Sequence, residues 1–254
     1  MALRVDLNGD VGETASGAVG PDLALIPHIT SANVACGFHA GDPGVMRATV
    51  EFAREHGVAV GAHPGFPDPE GFGRRELHFS PADVEDFVAY QVGALAAIAA
   101  GLGVRLQHVK PHGALFNMAV RDASLADAIA RGAALIDRTL ILFGLPDSEI
   151  VLAGNRAGLR TAGEGFADRA YQAGGALVPR DQPGAVIHDA AVVARRALRM
   201  VCERDVEAID GRTVPVIVDT LCVHGDTPGA VHLAAGLRTA FNAAGVEVKA
   251  VGRP

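Results

Sequence analysis

Six short runs of this chain carry residues able to move protons or bind ions. They are Asp6-Leu-Asn8-Gly-Asp10-Val-Gly-Glu13, Cys36-Gly-Phe-His39-Ala-Gly41-Asp42, His63-Pro64-Gly65, Lys110-Pro111-His112-Gly113, Asp168-Arg169 and His224-Gly225-Asp226. Four of the ten histidines, His39, His63, His112 and His224, stand beside glycine or proline at the expected ends of separate strands. Glycine lets backbone approach a ligand closely, and imidazole is the side chain best suited to exchange a proton near neutral pH. One such histidine is equally well explained by a loop hydrogen bond, whereas four in the same kind of turn point to a site. His28, His56, His78, His188 and His232 lack this context and read as surface or helix-end residues, while the reading leaves His108 open.

Asp6, Asp10 and Glu13 place three carboxylates in eight residues. They would repel one another unless a divalent ion, a shared proton or backbone amides relieve them. The competing reading makes Asp10 and Glu13 turn and cap residues. Lys110, desolvated inside a barrel, could stabilise developing negative charge or anchor a carboxylate. Asp168-Arg169, Arg74-Arg75 and Arg180 suit an anionic substrate, although loop-tying salt bridges would use the same residues. Cys36 is a weak candidate nucleophile, because a buried thiol behaves mostly as a small hydrophobe.

These runs must be held by something, and the pattern around them is α/β. Short apolar or β-branched runs alternate with helical patterns along the chain. The expected strands are 4–7, 32–35, 59–62, 107–109, 149–152, 165–168 and 216–222, with 247–251 as a possible last one. Helix starts are marked at Asp42-Pro43, at Ser80-Pro81 with Asp83, and at Thr227-Pro228; glycine stops follow at His56-Gly57 and Ala244-Gly245. The uncharged stretch Phe87 to Val104 reads as a buried helix ending near Gly101. Seven or eight strand-helix units favour one domain, 1–254, closed as a (β/α) barrel, with reactive groups just after the strands; a doubly wound open sheet is the alternative.

Composition narrows the function classes. The 254 residues are 49% hydrophobic, enough for a large core, and the net charge of -7 repels phosphate backbones and anionic membranes. Neither nucleic acid nor a membrane is an expected partner. Three scattered cysteines suggest neither a disulfide framework nor a thiolate zinc site, and with no secretion signal they fit a reducing cytoplasm. The dinucleotide fingerprint and the P-loop are both absent.

Nine segments in series, DLNGDVGE, SANVACGFHAGD, GAHPGFPD, GFGRR, YQVGAL, HVKPHGALFN, FADRAYQ, LVPR and CVHGD, resemble the LamB/YcsF family and cover nearly the whole chain. The resemblance implies a distorted (β/α)7-type barrel of the glycoside hydrolase/deacetylase kind. It implies ATP-dependent opening of the lactam 5-oxo-L-proline to L-glutamate, with Mg2+ accompanying ATP, and two companion chains, the B and C subunits. It places Asp6, Asn8, Asp10, Asn33, His39, His63, Lys110, His112, Asp168, Arg169 and His224 in or near the site. Phe116 departs from the tyrosine usual in the family.

The expected catalytic set is Asp6, Asp10, His39, His63, Lys110 and His112, with Asn8, Asn33, Asp168, Arg169, Arg180 and His224 binding substrate. One of His39, His63 or His112, oriented by Asp6 or Asp10, would act as base. Two other readings stay open. One is a metal-dependent amide hydrolase with ligands among Asp10, His39, His63 and His112; the other is a non-catalytic subunit that presents the lactam to its partners.

Overall fold

The computed structural model describes residues 3–14, 20–180, 182–224 and 229–252. Strand side chains alternate between faces. In β1 (Arg4–Val11) this sends Asp6, Asn8 and Asp10 to one side, while Val5, Leu7 and Val11 join the apolar core on the other. Every strand that closes the ring is parallel to its neighbours: β1, β2 (Ser31–Ala35), β3 (Ala59–His63), β4 (His108–Val109), β5 (Ile141–Gly144), β6 (Arg160–Gly165) and β9 (Thr220–His224). Closure is made by β1, which pairs with β2 through Asn8↔Ser31 and with β9 through Asp6↔Thr220. The result is a seven-stranded parallel barrel wrapped by helices. A small antiparallel pair, β7 (Asp205–Glu207) and β8 (Thr213–Pro215), precedes β9, and β10 (Glu247–Val248) pairs with the start of β1.

The helices begin where side-chain oxygens satisfy free amides. In α1 (Pro43–Glu55), Asp42 accepts from Val45 N at 2.8 Å, and Val45, Met46, Thr49, Val50 and Ala53 form the buried stripe. A reciprocal Ser80–Asp83 capping box starts α2 (Pro81–Gly101), the uncharged segment expected to be helical. By length and composition α2 could cross a membrane; here it buries Val84, Val88, Gln91, Val92, Leu95 and Ala99, and it packs beside α4 (Ala123–Ile136). The remaining helices are α3 (Gly113–Ala119), α5 (Glu149–Arg156), α6 (Ala190–Cys202) and α7 (Ala230–Ala243).

Three expected strands are displaced. Residues 149–152 lie in α5; the fifth strand is Ile141–Gly144, an equally short apolar run that periodicity alone cannot tell from a buried helical segment. The sixth ends at Gly165, so 166–168 belong to the following loop, and the strand expected at 216–222 begins at Thr220. The expected start at Thr227-Pro228 lies outside the described residues.

Candidate functional site

The carboxyl ends of the strands open into a cavity of about 500 Å3. Asp10, Glu13, His63, Lys110 and His112 form its floor, Arg74, Arg121, Arg169 and Arg180 stand on its walls, and Phe116, Leu145, Phe166 and Leu177 give it an apolar side. Such a mixture, mostly enclosed and with a few convergent polar groups, is what a small-molecule site requires.

Lys110 continues from β4, its amide bonded to Ala62 O. Its ammonium, 3% exposed as a residue, lies 2.7 Å from Asp10 Oδ1, 2.9 Å from Cys222 Sγ and 3.1 Å from Glu164 Oε1. Burial alone would lower the lysine pKa, but Asp10, Cys222 and Glu164 hold it well above the ordinary value. Glu164 is pushed upward by burial, against the pull of Lys110.

Glu13 is the point on which three imidazoles converge. Its Oε1 lies 3.0 Å from His112 Nδ1, 3.3 Å from His39 Nε2 and 3.6 Å from His63 Nε2. Against burial, hydrogen bonds from His112 and His39 hold this carboxyl far below the usual carboxylate range. His63 Nδ1 donates to Lys110 O at 2.7 Å, and His112 Nε2 donates to Phe72 O at 2.8 Å, leaving His63 Nε2 and His112 Nδ1 facing each other at 3.0 Å. Burial lowers the His63 pKa and Asp10, 3.5 Å away, raises it, with a net upward shift. His39 stacks on His112 with centroids 3.7 Å apart; burial and the neighbouring His112 push it down to about 3.

Backbone geometry holds these rings. Phe72, with φ 53, adopts the left-handed conformation that aims its carbonyl at His112, a conformation costing about 1–2 kcal/mol for a residue with a Cβ. Gly73, φ 64, lies so close that a Cβ there would sit 2.8 Å from both His112 Cδ2 and His39 Cβ. Buried Gln91 of α2 clamps the turn after β3, accepting from Gly65 N at 3.0 Å and donating to Gly65 O at 2.9 Å. Asp22 accepts from Glu13 N, fixing the turn after β1.

Not every expected site residue reaches the cavity. Asp6 lies deeper in the barrel, accepting from Thr30, Ser31 and Thr220 hydroxyls, and burial pushes its pKa up to about 6. It therefore orients no histidine. Asn8 and Asn33 are likewise interior: Asn33 Nδ2 bridges Asn8 Oδ1 and Asp10 Oδ1, both at 2.7 Å, and Asn33 Oδ1 accepts from His108. His108, left open by sequence, is thus a barrel-interior residue stacked on Phe143. Asp168 is buried behind the cavity wall. Arg169 reaches the cavity but donates to Val178 O and Ala185 O, and burial, with Arg180 nearby, pushes it down to about 10. Arg180 stands exposed on the wall, and His224 ends β9 in register with Asp10.

The metal-ligand set expected from sequence also changes. Asp10 Oδ1 is taken by Lys110 and Asn33, so Glu13 replaces Asp10 as the carboxylate beside His39, His63 and His112. The cysteine reading is closed as well, since burial pushes Cys36 up to about 12 and its thiol bonds to Val34 O. Glu164 and Gln91 escaped the sequence reading. Glu164 was traceable as the one carboxylate among small residues in Thr161-Ala-Gly-Glu-Gly165; Gln91 stood out only as a polar residue in an apolar run.

The LamB/YcsF family model matches residues 5–254. The chain belongs to the LamB/YcsF family. Relatives named as the A subunit of 5-oxoprolinase include one from Tolumonas auensis, 51% identical over 98% of this chain and 99% of its own. Another, from Symbiobacterium thermophilum, is 52% identical over 98% and 96% of the two chains. Among solved structures, the lactam utilization protein of Thermus thermophilus superposes with a TM-score of 0.92 at 50% identity, covering 98% of this chain and 100% of that one. A putative cellobiose-phosphate cleavage protein from Enterococcus faecalis shares the fold of this LamB/YcsF member, with a TM-score of 0.54 at 13% identity over 98% and 97% of the two chains.

Proposed function

We propose that this chain cleaves 5-oxo-L-proline to L-glutamate with hydrolysis of ATP to ADP and phosphate, as the A subunit of a cytoplasmic 5-oxoprolinase that also contains the companion B and C subunits. The observation that carries the reading is the near-full-length match, at 51% identity, to a protein named as the A subunit of 5-oxoprolinase. The cavity floor supports it by offering groups suited to opening an amide.

A lactam is a resonance-stabilised amide and resists direct attack by water. ATP, bound with Mg2+, supplies the phosphoryl group that makes the amide carbon electrophilic. The chain's own groups do the rest. Glu13 with His63 and His112 takes the proton of the attacking water, a proton from the same cluster goes to the ring nitrogen as its bond to carbon breaks, and a second water displaces phosphate from the γ-glutamyl phosphate so formed. Lys110, locked by Asp10, stabilises the negative charge of the phosphoryl group that the former carbonyl oxygen carries. Arg180 and Arg74 hold the substrate carboxylate or the phosphate at the wall. The whole chain acts as one barrel domain.

The decisive experiment measures glutamate release from 5-oxo-L-proline with and without Mg-ATP, by this chain alone and with the two companions. Turnover requiring ATP and all three chains is expected. Turnover by this chain without ATP would favour a metal-dependent amide hydrolase, and turnover indifferent to Lys110→Ala and His112→Ala in folded, assembled protein would favour a non-catalytic presenting role.

A further inference from the structure

We infer that Glu13, His39, His63 and His112 form a binding site for one first-row transition-metal dication at the cavity floor. The inference deepens the lactam reading, on which it rests, by identifying what the water-activating cluster holds; with the ion bound its ligands no longer accept the proton themselves, and the ion would lower the pKa of the attacking water in their place.

The ligand atoms are Glu13 Oε1, His39 Nε2, His63 Nε2 and His112 Nδ1, all within 4.8 Å of one another. Their measured separations are 3.0 Å (Glu13 to His112, and His63 to His112), 3.3 Å (Glu13 to His39) and 3.6 Å (Glu13 to His63). Ligands at roughly 2.0–2.1 Å from a tetrahedral ion stand about 3.3 Å apart. These four of the six pairs are therefore near the spacing of a coordination shell, and a turn of the His39 ring, now stacked parallel to His112, would bring its nitrogen into the same shell.

Hydrogen bonding points the same way. The far nitrogen of His63 donates to Lys110 O and that of His112 donates to Phe72 O. These two carbonyls fix the tautomers, so that in the neutral rings the lone pairs of His63 Nε2 and His112 Nδ1 are directed toward the same small space. Without a metal a proton on His112 Nδ1 fills this space, shared between His63 Nε2 and Glu13 Oε1 at 3.0 Å each, and a dication would take its place. Outer-shell carbonyls that orient ligating imidazoles in this manner are a general feature of metal sites. Keeping the Phe72 carbonyl in place takes a left-handed residue, φ 53, which generic loop packing does not call for.

The donor set selects the ion. Three imidazoles and one carboxylate suit zinc, cobalt, nickel or iron in the divalent state, whereas Mg2+ prefers oxygen ligands and retains its waters. This ion is thus distinct from the magnesium that accompanies ATP. Glu13, His63 and His112 border the cavity, so a coordination position can face substrate.

The test uses the full chain, stripped with chelator and titrated with Co2+ and then Zn2+, and reads metal binding without reference to turnover. One equivalent of Co2+ should give visible d–d absorption that Zn2+ displaces and a tenfold excess of Mg2+ leaves intact. Glu13→Gln and His63→Gln should each weaken Co2+ binding at least ~100-fold, since loss of an outer-shell partner alone costs 10–100-fold. The exposed His56→Gln should not. Circular dichroism identifies a variant that fails to fold; His39→Gln then takes its place. Absence of d–d absorption in the wild-type chain at millimolar Co2+, or equal binding by folded ligand variants, overturns the site. The lactam reading would survive that result, because ATP-dependent glutamate release is measured separately.

Discussion

Lys110 and Glu164 form an ion pair of 3.1 Å inside the barrel, joining β4 to β6 across the side on which Asp10 of β1 meets the same ammonium at 2.7 Å. One buried cation thus serves two carboxylates, and each depends on it, because a buried charge left without its partner costs several kcal/mol. Glu164 touches no cavity surface, so we regard it as a positioning residue acting through Lys110. Replacing Glu164 by Gln removes one of the charges that raise the Lys110 pKa. The alkaline limb of the pH profile for lactam turnover should consequently move to lower pH in Glu164→Gln, with KM nearly unchanged. A uniform loss of activity at every pH would show instead that Glu164 only fills space.

Asp6 makes the pH dependence of folding testable. Burial raises its pKa from 3.8 to about 6 despite three hydroxyl donors. A raised carboxyl favours the folded state in its protonated form, so this contribution is complete below pH 3.8 and is lost as pH rises through 6. The size is about 3 kcal/mol, from 1.36 kcal/mol per pH unit. In Asp6→Asn the titration disappears while one hydroxyl must reverse its hydrogen bond. Urea melts of both proteins at about pH 4, 5.5 and 7 should show the variant gaining on the wild type with rising pH. A gap independent of pH would mean that Asp6 is already ionised in the folded protein across that range, its pKa not raised by burial.

The barrel and most of its cavity floor were legible because they rest on local signals. Pro43 after Asp42 and Pro81 after Ser80 mark caps that the structure contains, and the alternation of Asp6 and Asn8 puts both on one side of β1; the strand, expected to end at Leu7, runs on to Val11 and carries Asp10, expected in the following turn, on that same side. Alternation cannot measure depth, however. Asp6 and Asp10 share a face but stand at different levels along the strand, so Asp6 meets hydroxyls and only Asp10 meets Lys110 and His63. The convergence of three rings on Glu13 depends on loops after three different strands. No spacing within one segment encodes it, and this is why Asp10 and not Glu13 was the carboxylate expected beside the histidines.

Close approach inside the barrel gives a stability prediction. Gly61 of β3 faces the His108 ring, and a Cβ added there would meet its atoms at 2.2–2.4 Å. The ring cannot swing away cheaply, being bonded to Asn33 Oδ1 at 2.7 Å and stacked on Phe143 at 4.3 Å. Overpacking of this kind exceeds the usual range of about 1–3 kcal/mol. Gly61→Ala should therefore lose about 3 kcal/mol or more in urea unfolding, and Gly61→Ala with His108→Ala should recover part of it. Failure of the second change to relieve the first would place the strain elsewhere.

Two of the four cavity arginines, Arg169 and Arg180, separate binding from architecture. Arg169 commits its Nε and Nη2 donors to Ala185 O and Val178 O, tying the loop that follows β6 to itself, and Arg196 adds bonds to Ala167 O and Arg169 O from below. Truncating Arg169 removes the donor to Val178 O, at about 1–3 kcal/mol, while Ala185 O keeps the Ala170 amide. Arg180 has no such duty among its described contacts and stands exposed at the wall, where a substrate carboxylate could accept two hydrogen bonds from it. Arg180→Ala should thus raise KM for 5-oxo-L-proline by roughly tenfold or more, a charge-assisted hydrogen bond contributing about 1.5–3 kcal/mol, and leave the melting temperature in place. Arg169→Ala should lower the melting temperature and reduce kcat through disorder of the loop. If Arg180→Ala leaves KM unchanged while Arg169→Ala raises it without lowering the melting temperature, the carboxylate is held by the third Arg169 nitrogen and the assignment reverses.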